Sequence, residues 1–534
     1  MSYTDDEKKI LKRYFTSIDD SVFGLVNLPE VIKGTLFSRY SRTAKDIKRL
    51  FLDEFYLNKD IKGMFNERTA DASINIEKAE AFYDRVLVGY GDDSVAELGG
   101  AHAAIEGISM LATKSIEEHR IGLSPLEKST RYVYYDNKIN GEFQYYRDPV
   151  IMDSEFASIY IETNEMLFEV YSKIVRDIQC ELKKIFPGDD TESAYKSSIR
   201  AKACDIARSL LPLSSKTNMG VYGDGRSWEY LIMNLAADPL NEAREVGEKL
   251  DGALKEMIPA FTKRAMSERG DAYREYLDKT TTPLKMLKEN FSGGLAQYTA
   301  PSVRIVESDD LCVEKIIAGM LYAYTDMEYR DALSESINFS SEEKEAVFKQ
   351  LGDFRKSRHH KPLRLLEEAY FAFEIIADWG VYKDLMRHRI LTRHKKIFTS
   401  EMGYFTPYEI EMTGFGDLYR ETMDKATDAF LKIKNKYPHE AQYLVTHGSY
   451  TSFYQKLNVR ALTHMVELRS IPQGHPSYRK VAQEMAMLVS AKYPLLGKHV
   501  FKFVDYNDYD LERLDAFRKI EKKANKLGVN VFEE

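Results

Sequence analysis

The chain has 534 residues, 44% of them apolar and 30% charged, with a formal net charge of −8. That length supports large cores and more than one domain. The acidic balance argues against a nucleic-acid-binding protein, which needs a basic excess to meet phosphate backbones. Met1 to Ile10 is polar and acidic, with no apolar stretch of signal-peptide length. No apolar run approaches the roughly 20 residues that span a bilayer, so no membrane partner is expected. Cys180, Cys204 and Cys312 show neither disulfide nor zinc spacing. The expected setting is a reducing cytoplasm, without a metal centre.

Helix signals dominate along the chain. Asp20 to Asp60 alternates apolar and charged residues at helical spacing. A further apolar segment ends at Glu118-His119-Arg120, with Glu97 roughly six helical turns upstream. Glu127 to Tyr132 follows a short loop containing Pro125. Its Ser129 and Arg131, one residue apart, make either a phosphate cradle or plain turn chemistry. Arg131 to Tyr135 reads as a strand. Asp153 to Phe186 reads as a helix capped by Asp153 or Ser154. Arg208 lies in the last helical turn before Pro212, a natural place for a dipole partner. Leu240 to Arg274 is again helical. Lys279 to Pro301 carries Thr280-Thr281-Thr282-Pro283 and Ser292-Gly293-Gly294 and reads as the loop that joins two halves.

The second half opens with a strand, Ser302 to Val306. Leu363 to Met386 is long and apolar-periodic, and within it Leu365 to Ile375 reads as a mostly buried helix presenting Glu367, Glu368 and Glu374. It ends at Arg387-His388-Arg389. These cations suit either a helix C-terminus or the binding of phosphate or a polar ring. With Glu367 roughly six turns upstream, the pattern repeats that of Glu97 and Glu118-His119-Arg120. The separation far exceeds the roughly 20–50 residues of solenoid repeats, so it marks a duplicated domain. Downstream come Asn458, Arg460, His464 and Arg469. Arg460 and His464 share a helix face; Arg469 points elsewhere unless the chain bends or another subunit uses it. Arg513 to Lys526 reads as a charged, solvated helix. The expected fold is helix-rich α+β, with two tandem domains, 1–285 and 286–534.

Together these residues resemble the flavin-dependent thymidylate synthases. That family's signature is Arg-His-Arg, seven residues, then Ser and Arg-Tyr, with a His, Ser and Glu segment upstream. Ala-Arg-x-x-Leu-Pro and Asn-x-Arg…Arg segments follow it. The likeness runs from about residue 20 to about residue 510, and each half has lost different parts. The second half keeps Arg387-His388-Arg389, Asn458, Arg460 and Arg469. It has Ile397 where the family has Ser, Ser400 displaced, Gln442 in place of Arg, and His464 in place of Asn. The first half has Glu118 in place of the first Arg, and Leu235 in place of the last. It keeps Ser129, Arg131-Tyr132, Arg208 and Arg226.

The family assembles each site across subunits. The resemblance therefore implies one working composite site from unlike halves, one degenerate site, and a homodimer forming a four-domain pseudo-tetramer. It implies reductive methylation of dUMP to dTMP, with FAD as cofactor and NADPH and methylenetetrahydrofolate as co-substrates, and no Cys nucleophile. Arg469 would be catalytic. Ser129, Arg131, Arg208 and Arg387 would bind substrate. Arg387, His388, Arg389, Asn458, Arg460, His464, Glu367 and Glu97 would bind the cofactor. A catalytically decayed FAD- or nucleotide-binding regulatory protein is the alternative.

Overall fold

The structure, a computed structural model, describes residues 3–41, 43–56, 93–290, 294 and 296–527. Helices alternate with small antiparallel sheets, an α+β fold rich in helix. The chain forms two compact units that do not follow sequence order. The first comprises Met1–Ile108, Ala112–Glu127 and Thr217–Gly293; the second comprises Ser109–Leu111, Lys128–Lys216 and Gly294–Glu534.

The first unit is built on the strands Gly100–Ser109, Lys216–Asp224 and Leu123–Glu127, in that spatial order. Leu123 lies opposite Gly223 and Glu127 opposite Met219. The helix Gly225–Ala236 starts where the Asp224 carboxylate accepts the Ser227 N–H, which satisfies one of the donors left open at a helix start.

The second unit holds a four-stranded sheet in the order Ser302–Ser308, Tyr370–Asp378, Tyr450–Asn458, Thr392–Lys395. Its last three strands repeat the order of the first unit's three. Asn458 caps the helix Val459–Arg469 through Ala461 as Asp224 caps its own. The repeat extends to single hydrogen bonds. Trp379 and Gly380 donate to the carbonyls of Ser449 and His447; Met110 and Leu111 donate to those of Ser215 and Leu213.

Within the second unit the segment ending in Pro212 and its match, which has Thr446 in that place, pair reciprocally. Leu213 N–H donates to the Val445 carbonyl at 2.8 Å, and His447 N–H returns a bond to Leu211 at 2.9 Å. Ser214 donates to Tyr443 at 2.9 Å, and Gly448 to Ser209 at 2.8 Å. Such mutual contacts are the mark of an isologous, two-fold interface.

Several expected elements are corrected. Leu365–Ile375 is not a helix. A 3₁₀ turn, Arg364–Glu367, leads into the strand Tyr370–Asp378, and only Trp379–Leu385 is helical before Arg387. That strand is hydrogen-bonded on both edges and largely buried, and such strands are continuous apolar runs without alternation. Gly100–Ser109 and the helix Met110–Glu117 divide the first-half segment in the same way. Arg131 to Tyr135 is a turn, where Val133 N–H donates to the Ser129 carbonyl.

The helix expected from Asp153 spans Ala157–Ile185 and has no side-chain cap; the Ser154 hydroxyl accepts from Phe156 N–H instead. Leu240 to Arg274 is divided among Asn241–Lys255, Pro259–Thr262 and Glu268–Asn290. The last of these carries Thr280 to Pro283 inside a helix, so the expected linker is helical as far as Asn290. Asp20 to Asp60 contains Glu30–Tyr40, Ile47–Leu50 and a π-helical turn Phe51–Tyr56; residues 57–60 lie outside the described residues. The strand at Ser302 and the terminal helix, Leu514–Leu527, form as read. Among the described residues no helix is long and apolar enough to cross a membrane.

Candidate functional site

In the second unit, the end of the helix Trp379–Leu385 and one face of Val459–Arg469 enclose a cavity of about 320 Å³. Arg387, His388, Arg389, His464 and Arg469 supply its polar wall; Ile390, Leu391, Leu457, Met465 and Leu468 are among its apolar residues. This volume lies at the lower end of small-molecule pockets, about 300–1,000 Å³. Arg387 and Arg389 are exposed, whereas His388 is buried. Arg469 Nε donates to His388 Nε2 at 3.0 Å. That bond requires His388 to be neutral, with its proton on Nδ1. Burial first, then Arg469, His464 and Arg393, hold its pKa well below the usual imidazole value.

Arg460 and His464 part company at this wall. His464 lines the cavity with Arg469, whereas Arg460 reaches Glu367 at 2.6 Å and the Pro362 carbonyl at 2.8 Å. The Asn458 side-chain oxygen is engaged in its helix cap. Glu97, expected beside the cofactor, lies in the first unit and pairs with Arg226 at 2.7 Å, the counterpart of the Glu367–Arg460 pair.

The first-half residues Ser129, Arg131 and Arg208 also belong to the second unit. Arg131 forks onto Asp205 at 2.9 and 3.0 Å, and donates to the Tyr478 hydroxyl at 3.0 Å and the Gln473 carbonyl at 3.2 Å. Ser129 Oγ accepts the Arg131 backbone N–H. Arg513 shares Asp205 at 2.6 Å. Burial works against the Asp205 charge, but Arg131, Arg513 and His475 outweigh it and hold the carboxyl well below its usual range. The Tyr478 ring faces two guanidiniums, Arg131 at 5.4 Å and Arg469 at 5.6 Å, within cation–π range. One comes from each half of the sequence.

Arg208 is buried and donates through Nη1 to Asp384 at 3.3 Å, while its Nη2 has no hydrogen-bond partner among the described residues. A Cβ on Gly380 would stand 2.8 Å from that Nη2 and 2.9 Å from Asp378 Oδ1, so glycine is what admits the guanidinium there. Burial would raise the Asp384 carboxyl, but Arg208, Arg131, Arg469 and His475 hold it low. Asp378 behaves oppositely: burial outweighs Arg208 and pushes it up to about 6. Its Oδ1 accepts Val381 N–H, and Ser477 also acts to lower it.

Sequence reasoning missed Asp205, Asp378, Asp384, His475 and Tyr478. Asp384 stands one helical turn before Arg387, and His475-Pro476 precedes an apolar-periodic run; those were the available signals. Ile397 is exposed, Ser400 is buried, and Gln442 accepts Phe398 N–H. Burial pushes the thiols of Cys204 and Cys312 up to about 12.

The family model described as thymidylate synthase complementing protein matches residues 42–260 and 295–495. A UPF0159 protein of Chlamydia muridarum is 40% identical over 96% of this chain and 97% of its own. A UPF0159 protein of Thermoplasma acidophilum is 31% identical over 91% of this chain and 97% of its own. A flavin-dependent thymidylate synthase of a Mycobacterium species is 26% identical over 30% of this chain and 59% of its own. Among solved structures, the UMP/dUMP methylase PolB from Streptomyces cacaoi, bound with 5-Br dUMP, aligns with a TM-score of 0.31. Its identity is 16%, over 39% of this chain and 98% of that one.

Proposed function

Because this chain belongs to the thymidylate synthase complementing protein family, we propose that it is a flavin-dependent thymidylate synthase converting dUMP to dTMP. Methylenetetrahydrofolate is the carbon donor and NADPH the reductant. The reading keeps two synthase-like domains, 1–285 and 286–534, with one composite site in which both take part, in a homodimer. The observation that carries it is Tyr478, faced by Arg131 from one half and by Arg469 from the other beside the Arg-His-Arg cavity.

The donor set fits FAD: apolar walls suit a flat ring, and Arg387 and Arg389 at the mouth suit phosphate. When bound, FAD supplies hydride chemistry that no side chain provides. His388, neutral and anchored by Arg469, offers its Nδ1–H as a donor. Arg460 with Glu367, and Asn458 at its helix start, frame the same region; Glu97 with Arg226 is the corresponding frame in the first unit. Arg469 holds the uracil ring and stabilises negative charge as it develops. Ser129, Arg131, Arg208 and Arg387 take the nucleotide. The unpartnered Arg208 Nη2 is the donor most ready for a phosphate oxygen.

The pairing of Arg131 with Asp205 and of Arg208 with Asp384 favours a second reading. A protein that binds flavin or nucleotide without turnover can keep its cations neutralised in this way. Tritium release from dUMP labelled at carbon 5 separates the two readings. Folate-dependent release supports the synthase; bound flavin without release favours the binder. Light scattering tests the dimer, and an active monomer overturns it.

A further inference from the structure

The helix Ser341–Phe354 is followed by a basic run, Arg355-Lys356-Ser357-Arg358-His359-His360-Lys361, that nothing above uses. Arg355 is consumed internally: it forks onto Glu467 and donates to the carbonyls of His360 and Val500. His360 N–H bonds the Ser357 carbonyl at 2.9 Å, and His359 N–H bonds Ser357 Oγ at 3.1 Å. The turn is therefore built before any ligand arrives, which removes an ordering cost from binding. Lys356, Arg358 and Lys361 form no ion pair with the described residues.

Lys356, Arg358 and His359 line one side of an open cavity of about 680 Å³; Pro472, Phe503 and Tyr506 line the other. Its one carboxylate, Asp505, already accepts from Asn507 and Tyr509. The cavity adjoins the site described above, because Ile471 and Pro472 follow Arg469 by two and three positions. The basic run also acts on that site. After burial, Lys361, Arg469, Arg358 and Arg355 are what hold the His464 imidazole below its usual value.

We propose that Lys356, Arg358 and Lys361 bind the anionic arm of a co-substrate whose ring reacts at the Arg-His-Arg cavity. The arm carries more than two negative charges, as phosphates or as glutamyl carboxylates, and its less polar stem lies against Phe503 and Tyr506. This rests on the synthase reading for the identity of the co-substrate, not for the existence of the anion site. Lys356 and Arg358 at the apolar floor, with Lys361 three positions further along the same run, select a more highly charged polyanion over a doubly charged analogue.

The test is calorimetric titration of the flavin-loaded full chain and of K356A/R358A/K361A. The probes are tetrahydrofolate as mono- and pentaglutamate, and NADPH beside NADH. The variant should bind either the pentaglutamate or NADPH at least about tenfold more weakly. The monoglutamate and NADH should bind as before, and the flavin spectrum and melting temperature should not move. Loss confined to the pentaglutamate assigns the loop to carboxylates; loss confined to NADPH assigns it to phosphate. In the wild-type chain the same affinity should fall as salt rises. The proposal is overturned by unchanged affinity for both polyanions, by equal losses for their less charged analogues, or by a wild-type chain that binds neither. Tight polyanion binding without tritium release would reject the synthase reading and leave the loop's role standing.

Discussion

The two Arg-His-Arg-like corners occupy matching places, each after a strand and a short helix, yet they are finished differently. In the first unit, Lys114 is buried with Glu117 at 2.5 Å and Glu127 at 3.1 Å. Burial would depress its ammonium, but the two carboxylates hold it above the ordinary lysine value. In the second unit, the matching corner ends in exposed Arg387 and Arg389 around a cavity. Ser109 stands where the second corner has Asp378. One copy buries a lysine between its own carboxylates; the other ends in exposed arginines at the mouth of a cavity.

The largest expected effect lies in the closed corner. Lys114→Met leaves two buried carboxylates unpaired and should cost roughly 3–5 kcal/mol of stability, read as a lower urea midpoint, with activity per folded molecule retained. A small change would mean the corner is wet and not closed. In the open corner, Arg469→Ala should cut tritium release about 100- to 1,000-fold while flavin absorbance persists. Full turnover would remove Arg469 from the catalytic role.

Asp378→Asn sharpens the Asp378/Ser109 difference. Below pH 3.8 the carboxyl is protonated in both folded and unfolded chains. Above about 6 the folded chain must bury the charge, so stability falls as pH rises between those values. The asparagine keeps the helix cap and abolishes that slope. It should be more stable at pH 7 by a few kcal/mol, on the order of 1.4 per pK unit. A slope like the wild type's would show that Asp378 is not the group titrating. The smallest effects concern the twin frame pairs. Arg460→Ala and Arg226→Ala should each cost below about 1 kcal/mol of stability. Only Arg460→Ala should loosen flavin, by a few fold; equal loosening in both would place a second flavin at the first corner.

The repeat was legible because it rests on residue order and spacing. The long helix Ala157–Ile185 and the tail helix were legible because their periodicity is unbroken. The strand Tyr370–Asp378 was not, since a strand buried on both faces loses its period-2 alternation. The countercharges Asp205 and Asp384 were missed for a different reason. A lone carboxylate on a buried helix has no spacing signature, and its meaning comes only from Arg131 and Arg208, brought to it from far along the chain.

The reciprocal seam between residues 209–214 and 443–448 has a consequence for how such a chain changes over generations. In a dimer of identical subunits, every substitution at a two-fold seam falls twice, and both copies must tolerate it. Here Leu213 and His447 make the same bond in opposite directions but are encoded separately. Each can drift alone, and the covalent link keeps the partners at high effective concentration while they do. The duplication converts a symmetric contact into a permanent pairing of unlike partners. Under the composite-site reading, neither half then needs a complete set of site residues of its own.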